Sequence, residues 1–166
     1  MDTRLLVVLD DSAASKRAVK YVGKFVGKRK GFRICLLHVL PPMPLELLEH
    51  GGSKNPMKES RLGLNQKSEQ HRWISAAKKA SQKSMDGARA ILQSAGVSAG
   101  TIKGLSYEPG ENQDATDIIL SVARGSHCRT VVVGRQAASW FQELFREPLA
   151  AELHRRDKQF SVWAIE

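Results

Sequence analysis

Short unbroken apolar runs alternate along this chain with longer stretches in which apolar residues recur every three or four positions. Leu5-Leu6-Val7-Val8-Leu9, Ile34 to Leu40, Thr130-Val131-Val132-Val133 and Phe160 to Ile165 are runs of strand length, and Thr101 to Tyr107 is a weaker one. Runs without polar alternation predict strands covered on both faces, the condition of a parallel sheet. Between the first two runs, Ala18, Val22, Phe25 and Val26 fall on one face of a helix, whereas Lys16, Arg17, Lys20 and Lys24 fall elsewhere. Gly31 is the expected stop of that helix, and Asp11 or Ser12 its expected cap. Trp73, Ala77, Ala80, Ser84, Ala88, Ile91 and Ala95 form the stripe of a second, longer helix that Gly96 or Gly100 closes. Ile118, Ile119, Val122 and Ala123 give a third, ending at Gly125, and Leu149, Ala150 and Leu153 a fourth. From Pro41 to about Gln70 the spacing fails among Pro-Pro-Met-Pro, Gly51-Gly52-Ser53 and Asn55-Pro56, so residues 41–70 read as a long irregular loop. Strand–helix alternation of this kind predicts one α/β domain over residues 1–166, a parallel sheet with helices on both faces.

Composition narrows the class. At 166 residues with 42% hydrophobic content the chain can build one core. No apolar run has the roughly 18–20 residues of a membrane helix, and the start Met-Asp-Thr-Arg is unlike a signal peptide. Cys35 and Cys128 are too few for a disulfide framework or a four-cysteine zinc site, so a cytoplasmic, reducing setting is expected. His38, His50, His71, His127 and His154 contain no pair at helical metal-site spacing, and no metal is expected. Neither a G-x-S-x-G elbow nor a G-x-x-x-x-G-K-S/T loop occurs. His38 reads as a hydrogen-bonded core histidine, and the Gly23/Gly27 pair as a point of close helix packing.

In a doubly wound sheet, ligands bind beyond the carboxyl ends of the strands where the strand order reverses. If the first and fourth strands are neighbours, Asp10 and Gly134 face one crevice. Asp10 then reads as ligand-facing, with a plain helix-start acid as the alternative.

Together, Leu9-Asp10-Asp11-Ser12-Ala13-Ala14-Ser15, Leu37-His38-Val39, Pro109-Gly110-Glu111, Val131-Val132-Val133-Gly134-Arg135 and Val162-Trp163-Ala164-Ile165 resemble the universal stress protein domain in order and spacing. The resemblance covers essentially the whole chain. It implies a five-stranded Rossmann-like sheet in order 3-2-1-4-5, of the adenine nucleotide alpha hydrolase-like kind, and a homodimer. ATP-binding members carry an Asp after the first strand and a G-x2-G-x9-G-S/T motif after the fourth. Asp10, Val39 and Gly134 match the nucleotide-site positions, but Ala137 replaces the second glycine, and Glu147-Pro148 stand where Gly and Ser or Thr are expected. Glu147 puts a carboxylate where phosphate should sit, and Pro148 removes a backbone donor and a hydroxyl. Arg135 and Arg146 are candidate replacement phosphate ligands, with solvated surface arginines as the preferred reading.

These readings give a non-enzymatic stress-response regulator that does not bind ATP in the usual way, with no cofactor expected. One alternative is an ATP-binding member using nucleotide as a switch, for which slow hydrolysis stays open; an adenine nucleotide is then the ligand. A second is a basic nucleic-acid-associated protein. The formal charge of +9 comes from 26 Lys and Arg against 17 Asp and Glu. It gathers in residues 16–33 and 53–94, as it would on solvated helix faces, and aromatic content is only 6%, so neither nucleic acid nor membrane is the expected partner. The expected partners are an unidentified protein and a second copy, paired through the C-terminal edge strand around Trp163.

Overall fold

The computed structural model describes residues 3–48, 54–109, 113–135 and 149–166. Five strands, β1 (Thr3–Leu9), β2 (Phe32–Val39), β3 (Ile102–Tyr107), β4 (Thr130–Gly134) and β5 (Ser161–Ile165), form one sheet in the order β3-β2-β1-β4-β5. Every neighbouring pair is parallel. The helices are α1 (Ala13–Val26), α2 (Leu45–Leu48), α3 (Pro56–Ser94), α4 (Ala115–Gly125) and α5 (Leu149–Arg156), and a 3-10 turn, Ala99–Thr101, precedes β3.

Because successive side chains of a strand point to opposite faces, the unbroken apolar runs supply two cores at once. Leu5, Val7, Leu9, Ile34, Leu36 and Val132 meet Val19, Val22 and Val26 of α1 and Met85, Ala88 and Leu92 of α3. Leu6, Val8, Cys35, Leu37, Val131 and Val133 meet Ile118, Ile119 and Ala123 of α4 and Leu153 of α5. The sheet thus lies between an α1/α3 layer and an α4/α5 layer. Each fully buried Leu or Val contributes about 1.5–3 kcal/mol, so the central strand β1, with five consecutive buried residues, is the spine of the fold.

Local chemistry sets most helix ends. The Ser12 side chain accepts from the Ser15 N–H at the start of α1, Asn55 caps α3 through the Met57 N–H, and Asp114 caps α4 through the Thr116 N–H. The end of α1 comes at Gly27, four residues before the expected Gly31. Gly23, one turn earlier, packs face to face with α3: a Cβ there would lie 3.0 Å from Ala95 Cβ. This is the close packing that the glycine pair predicted. Opposite it, Arg156 of α5 binds Glu152, Asp114 and Asp117, which ties α5 to the start of α4. The hydrogen bond from Arg156 holds the Glu152 carboxyl below its ordinary range.

Two expectations need correction. Residues 56–70 are helical rather than part of an irregular loop. Helix α3 starts at Pro56, with Asn55 as cap and proline at a first-turn position. The apolar spacing is missing there because this part does not reach the sheet and meets α2 through polar groups, Gln66 and Gln70 donating to the Leu47 carbonyl: the buried residues of α3, Ser81, Met85, Ala88 and Leu92, all lie in its last fourteen positions. The second correction concerns the stripe. The seam facing the sheet runs through 81, 85, 88 and 92: it shares 88 with the alanine-rich stripe, but 81, 85 and 92 each lie one position beyond 80, 84 and 91. Met85 and Leu92 bury far more apolar area than alanines do, and they set the rotation of the helix.

The Trp163 ring does not stand free on the outer edge. It lies edge-on to Phe25, with ring centroids 5.1 Å apart, and edge-on to Tyr21 at 6.4 Å. Its apolar surface is therefore covered largely by α1 of the same chain, although β5 is an edge strand as expected.

Candidate functional site

Helix α1 leaves the carboxyl end of β1 toward one face of the sheet, and the connection through α5 follows β4 on the other face. The strand order reverses between β1 and β4, which makes this the switch point. β1 pairs with β2 at Leu9↔His38 and with β4 at Val7↔Val132. Carried forward at those offsets, Asp10 falls level with Val39 on one side and Arg135 on the other, with Gly134 one position back. The fold thus brings four of the five expected residues into one row. Ala137 lies outside the described residues, as do Arg146, Glu147 and Pro148.

Asp10 is buried, and its carboxylate is engaged from within the turn. Oδ1 accepts from the Ser12 N–H at 3.0 Å and from Ser12 Oγ at 2.5 Å. Ser12 Oγ in turn accepts from the Ser15 N–H at 3.0 Å, so one hydroxyl joins the acid to the helix start. The Asp10 N–H reaches Ser15 Oγ at 3.4 Å, completing a buried knot at the first turn of α1.

Asp11, expected as a cap, does something else. Its φ of +65° places it in the left-handed region, which aspartate tolerates better than most residues. That turn aims its carboxylate at His38, whose Nε2 lies 3.1 Å from Asp11 Oδ2. His38 is a buried, hydrogen-bonded histidine, as expected, and its Nδ1 has no hydrogen-bond partner among the described residues. The contact joins residues 27 positions apart, and no local signal announces it. Beside it, Ser81 of α3 and Ser106 of β3 share a hydrogen bond of 2.6 Å. Sequence reasoning singled out neither serine, because an isolated serine on a helix or an edge strand has no distinctive spacing.

The remaining candidates separate by what they touch. The side chain of Val39 is buried in the core on the α4/α5 side, which leaves only its backbone to serve a ligand. Gly134 lies against the first turn of α1: a Cβ there would sit 2.6 Å from the carbonyl carbon of Ala14 and 2.7 Å from the Ser15 nitrogen. Glycine is required by this packing whether or not a ligand binds. The Arg135 backbone N–H donates to the Ile165 carbonyl at 2.8 Å, and its guanidinium pairs with Glu166 at the exposed end of β5. The two thiols are at the opposite end of the sheet, on either side of Ser126. Burial pushes the Cys128 thiol up to about 11 and raises Cys35 as well, the reverse of what a nucleophile needs. Among the described residues no group of three or more His, Cys, Asp or Glu could hold a metal ion, and no helix is long and apolar enough to cross a membrane.

The sheet order agrees with a match of residues 1–156 to the model of the universal stress protein family. The chain belongs to the universal stress protein family. A family protein from Burkholderia pseudomallei shares the fold with a TM-score of 0.65 at 17% identity, over 98% of this chain and 95% of that one. A universal stress protein solved in complex with cAMP gives 0.58 at 16% identity, covering 99% and 96%. One from Archaeoglobus fulgidus, in complex with dAMP, gives 0.52 at 13%, covering 100% and 98%. At such identities the likeness carries the fold, not the ligand. No curated protein sequence matches the chain.

Proposed function

We propose that this universal stress protein is a non-enzymatic regulator whose carboxyl-end crevice takes the adenosine part of a ligand but does not hold a triphosphate in the family's usual way. The observation that carries this reading is the fate of Arg135. It is the cation that directly follows β4 at the switch point, and it pairs with Glu166 at the exposed end of β5. With Glu147-Pro148 in place of glycine and a hydroxyl residue, donors for a β- or γ-phosphate are missing from the motif. Asp10 and the Val39 backbone keep the half that meets sugar and base. Relatives solved with cAMP and with dAMP, each carrying one phosphate, support a ligand of that size. The ATP-switch reading retains one argument of its own, the match of Asp10 and Gly134 to the binding pattern.

Titration calorimetry on nucleotide-stripped protein separates the two readings. AMP or cAMP is expected to bind at least as tightly as Mg-ATP, with no low-micromolar ATP site; low-micromolar Mg-ATP binding overturns the proposal.

A homodimer along β5 belongs to the same reading. The Ser161 N–H and the Ile165 carbonyl point to β4, so the backbone groups of Val162 and Ala164 face the open edge of the sheet. Ala164→Pro deletes one edge donor while leaving the β4 bonds in place. Light scattering should show a dimer for the parent and a monomer for this variant; an unchanged dimer places the contact elsewhere.

A further inference from the structure

The charge of this protein is divided between its two helical layers. Residues 13–33 and 56–94, which form the α1/α3 layer and its turn, carry 16 Lys and Arg against 3 Asp and Glu, or +13, whereas the whole chain carries +9. The arginine–carboxylate pairs of Arg124, Arg155 and Arg156 belong to the α4/α5 layer. Fifteen of the sixteen cations on the α1/α3 layer are exposed, Arg89 being half-buried beside Gly104.

Their direction is as specific as their number. At 100° per residue, Lys16, Arg17, Lys20 and Lys24 fall within about 100° of the circumference of α1. That sector lies opposite Ala18, Val22 and Val26, which are buried. On α3, five of the eight cations, Lys58, Arg61, Arg72, Lys79 and Lys83, fall within about 60°, opposite the seam of Ser81, Met85, Ala88 and Leu92, whereas Lys67, Lys78 and Arg89 fall toward the seam side. Glu69 and Asp86 border this stripe. Both stripes therefore point straight away from the same side of the sheet. Helix α3 is about 58 Å long, against about 26 Å for the longest strand, so its stripe continues past the body of the domain. Between α1 and α3 lies a cleft of about 400 Å3, with Lys16, Lys83 and Ser84 in its wall, Gly87 and Ala80 leaving room, and the Asp11 carboxylate at one end.

The fold gains nothing from this arrangement: Lys16, Lys20 and Lys24 stand at i, i+4 spacing, where like charges cost a few tenths of a kcal/mol per pair. We propose that the α1/α3 layer is a binding surface for duplex nucleic acid, engaging the phosphate backbone without reading sequence. Phosphates repeat along a duplex over the same tens of ångströms as the α3 stripe, and backbone binding needs no stacking aromatics. A lipid surface fits less well, because a membrane-lying helix needs an apolar face to insert. The apolar faces of α1 and of the C-terminal part of α3 are spent on the core; apart from Tyr21 on α1, the exposed large apolar residues, Leu45, Leu48, Met57, Leu62 and Leu64, gather at α2 and the first turns of α3.

The test is fluorescence anisotropy of a labelled random-sequence duplex of about two helical turns with the full chain, at several salt concentrations. A seat on about six phosphates gives a slope near −5 in log K against log salt. It also gives roughly a thousandfold loss of affinity between 50 and 200 mM salt. Combined charge reversal at Lys20, Lys24, Lys79 and Lys83 is expected to lower affinity more than a hundredfold with an unchanged melting temperature, whereas Lys158→Glu on the opposite side has little effect. Binding that survives the fourfold reversal overturns the proposal. So does absence of duplex binding at 50 mM salt, or retention on anionic phosphatidylserine vesicles without retention of DNA. Asp10→Ala should leave duplex binding intact, which keeps this result separate from that of the nucleotide crevice.

Discussion

Gly134→Ala is expected to destabilise the protein by about 3 kcal/mol, the upper end of what overpacking costs, and to lower the melting temperature by roughly 6–12 °C at this chain length. The cause lies in two backbones. The added methyl would meet the carbonyl carbon of Ala14 and the nitrogen of Ser15 at 2.6 and 2.7 Å, and neither can rotate aside as a side-chain tip does. Relief requires the first turn of α1 to move off β4, which strains the Ser12 bridge between Asp10 and the helix start. Thermal unfolding measures the effect directly; an unchanged melting temperature would show that α1 yields without cost and that the close approach is incidental. The result also bears on function. A glycine demanded by packing says little about a nucleotide, so the weight of the candidate site rests on Asp10, the Val39 backbone and the residues after β4.

Leu92→Ala should cost about 3–4 kcal/mol, within the range for emptying a fully buried leucine. Leu92 is completely buried on a seam of four residues that holds a 39-residue helix to the sheet. It also lies beside Gly23, where α1 packs closely on α3. Losing it leaves a cavity at that crossing and loosens the only buried stretch of α3 among the described residues. Leu62→Ala, at an exposed position of the same helix away from the sheet, should change stability by less than about 0.5 kcal/mol. Denaturant unfolding of the pair is the check, and equal effects would mean that α3 is anchored somewhere other than this seam. Hydrogen exchange follows from the same contrast: amides of 56–72 should exchange well before those of 85–92.

The fold was legible from the strands because a sheet covered on both faces forces apolar residues into every position of its central members. β1, β2 and β4 show this as uninterrupted runs, and the edge strands β3 and β5 show it more weakly. The first half of α3 was not legible by the same rule, since it meets α2 through Gln66 and Gln70 rather than the sheet through apolar side chains, and so has no reason to space its apolar residues. Asn55-Pro56 was the available signal, and in sequence it serves a turn equally well. At the site, spacing marked Asp10 and Gly134, but it left the partners of Asp11 and the intrachain cover of Trp163 unspecified.

By itself the sequence determined the two-sided parallel sheet and the acid-and-glycine pair at the switch point, because burial and local turn chemistry act over a few neighbouring residues. Only the tertiary structure decided that Asp11 turns to His38, that Arg135 is engaged by Glu166, and that Gly134 is held by α1. It also decided where the +9 is displayed. The two most basic helices pack side by side on one face, and the direction of a surface charge depends on which side of each helix the core claims.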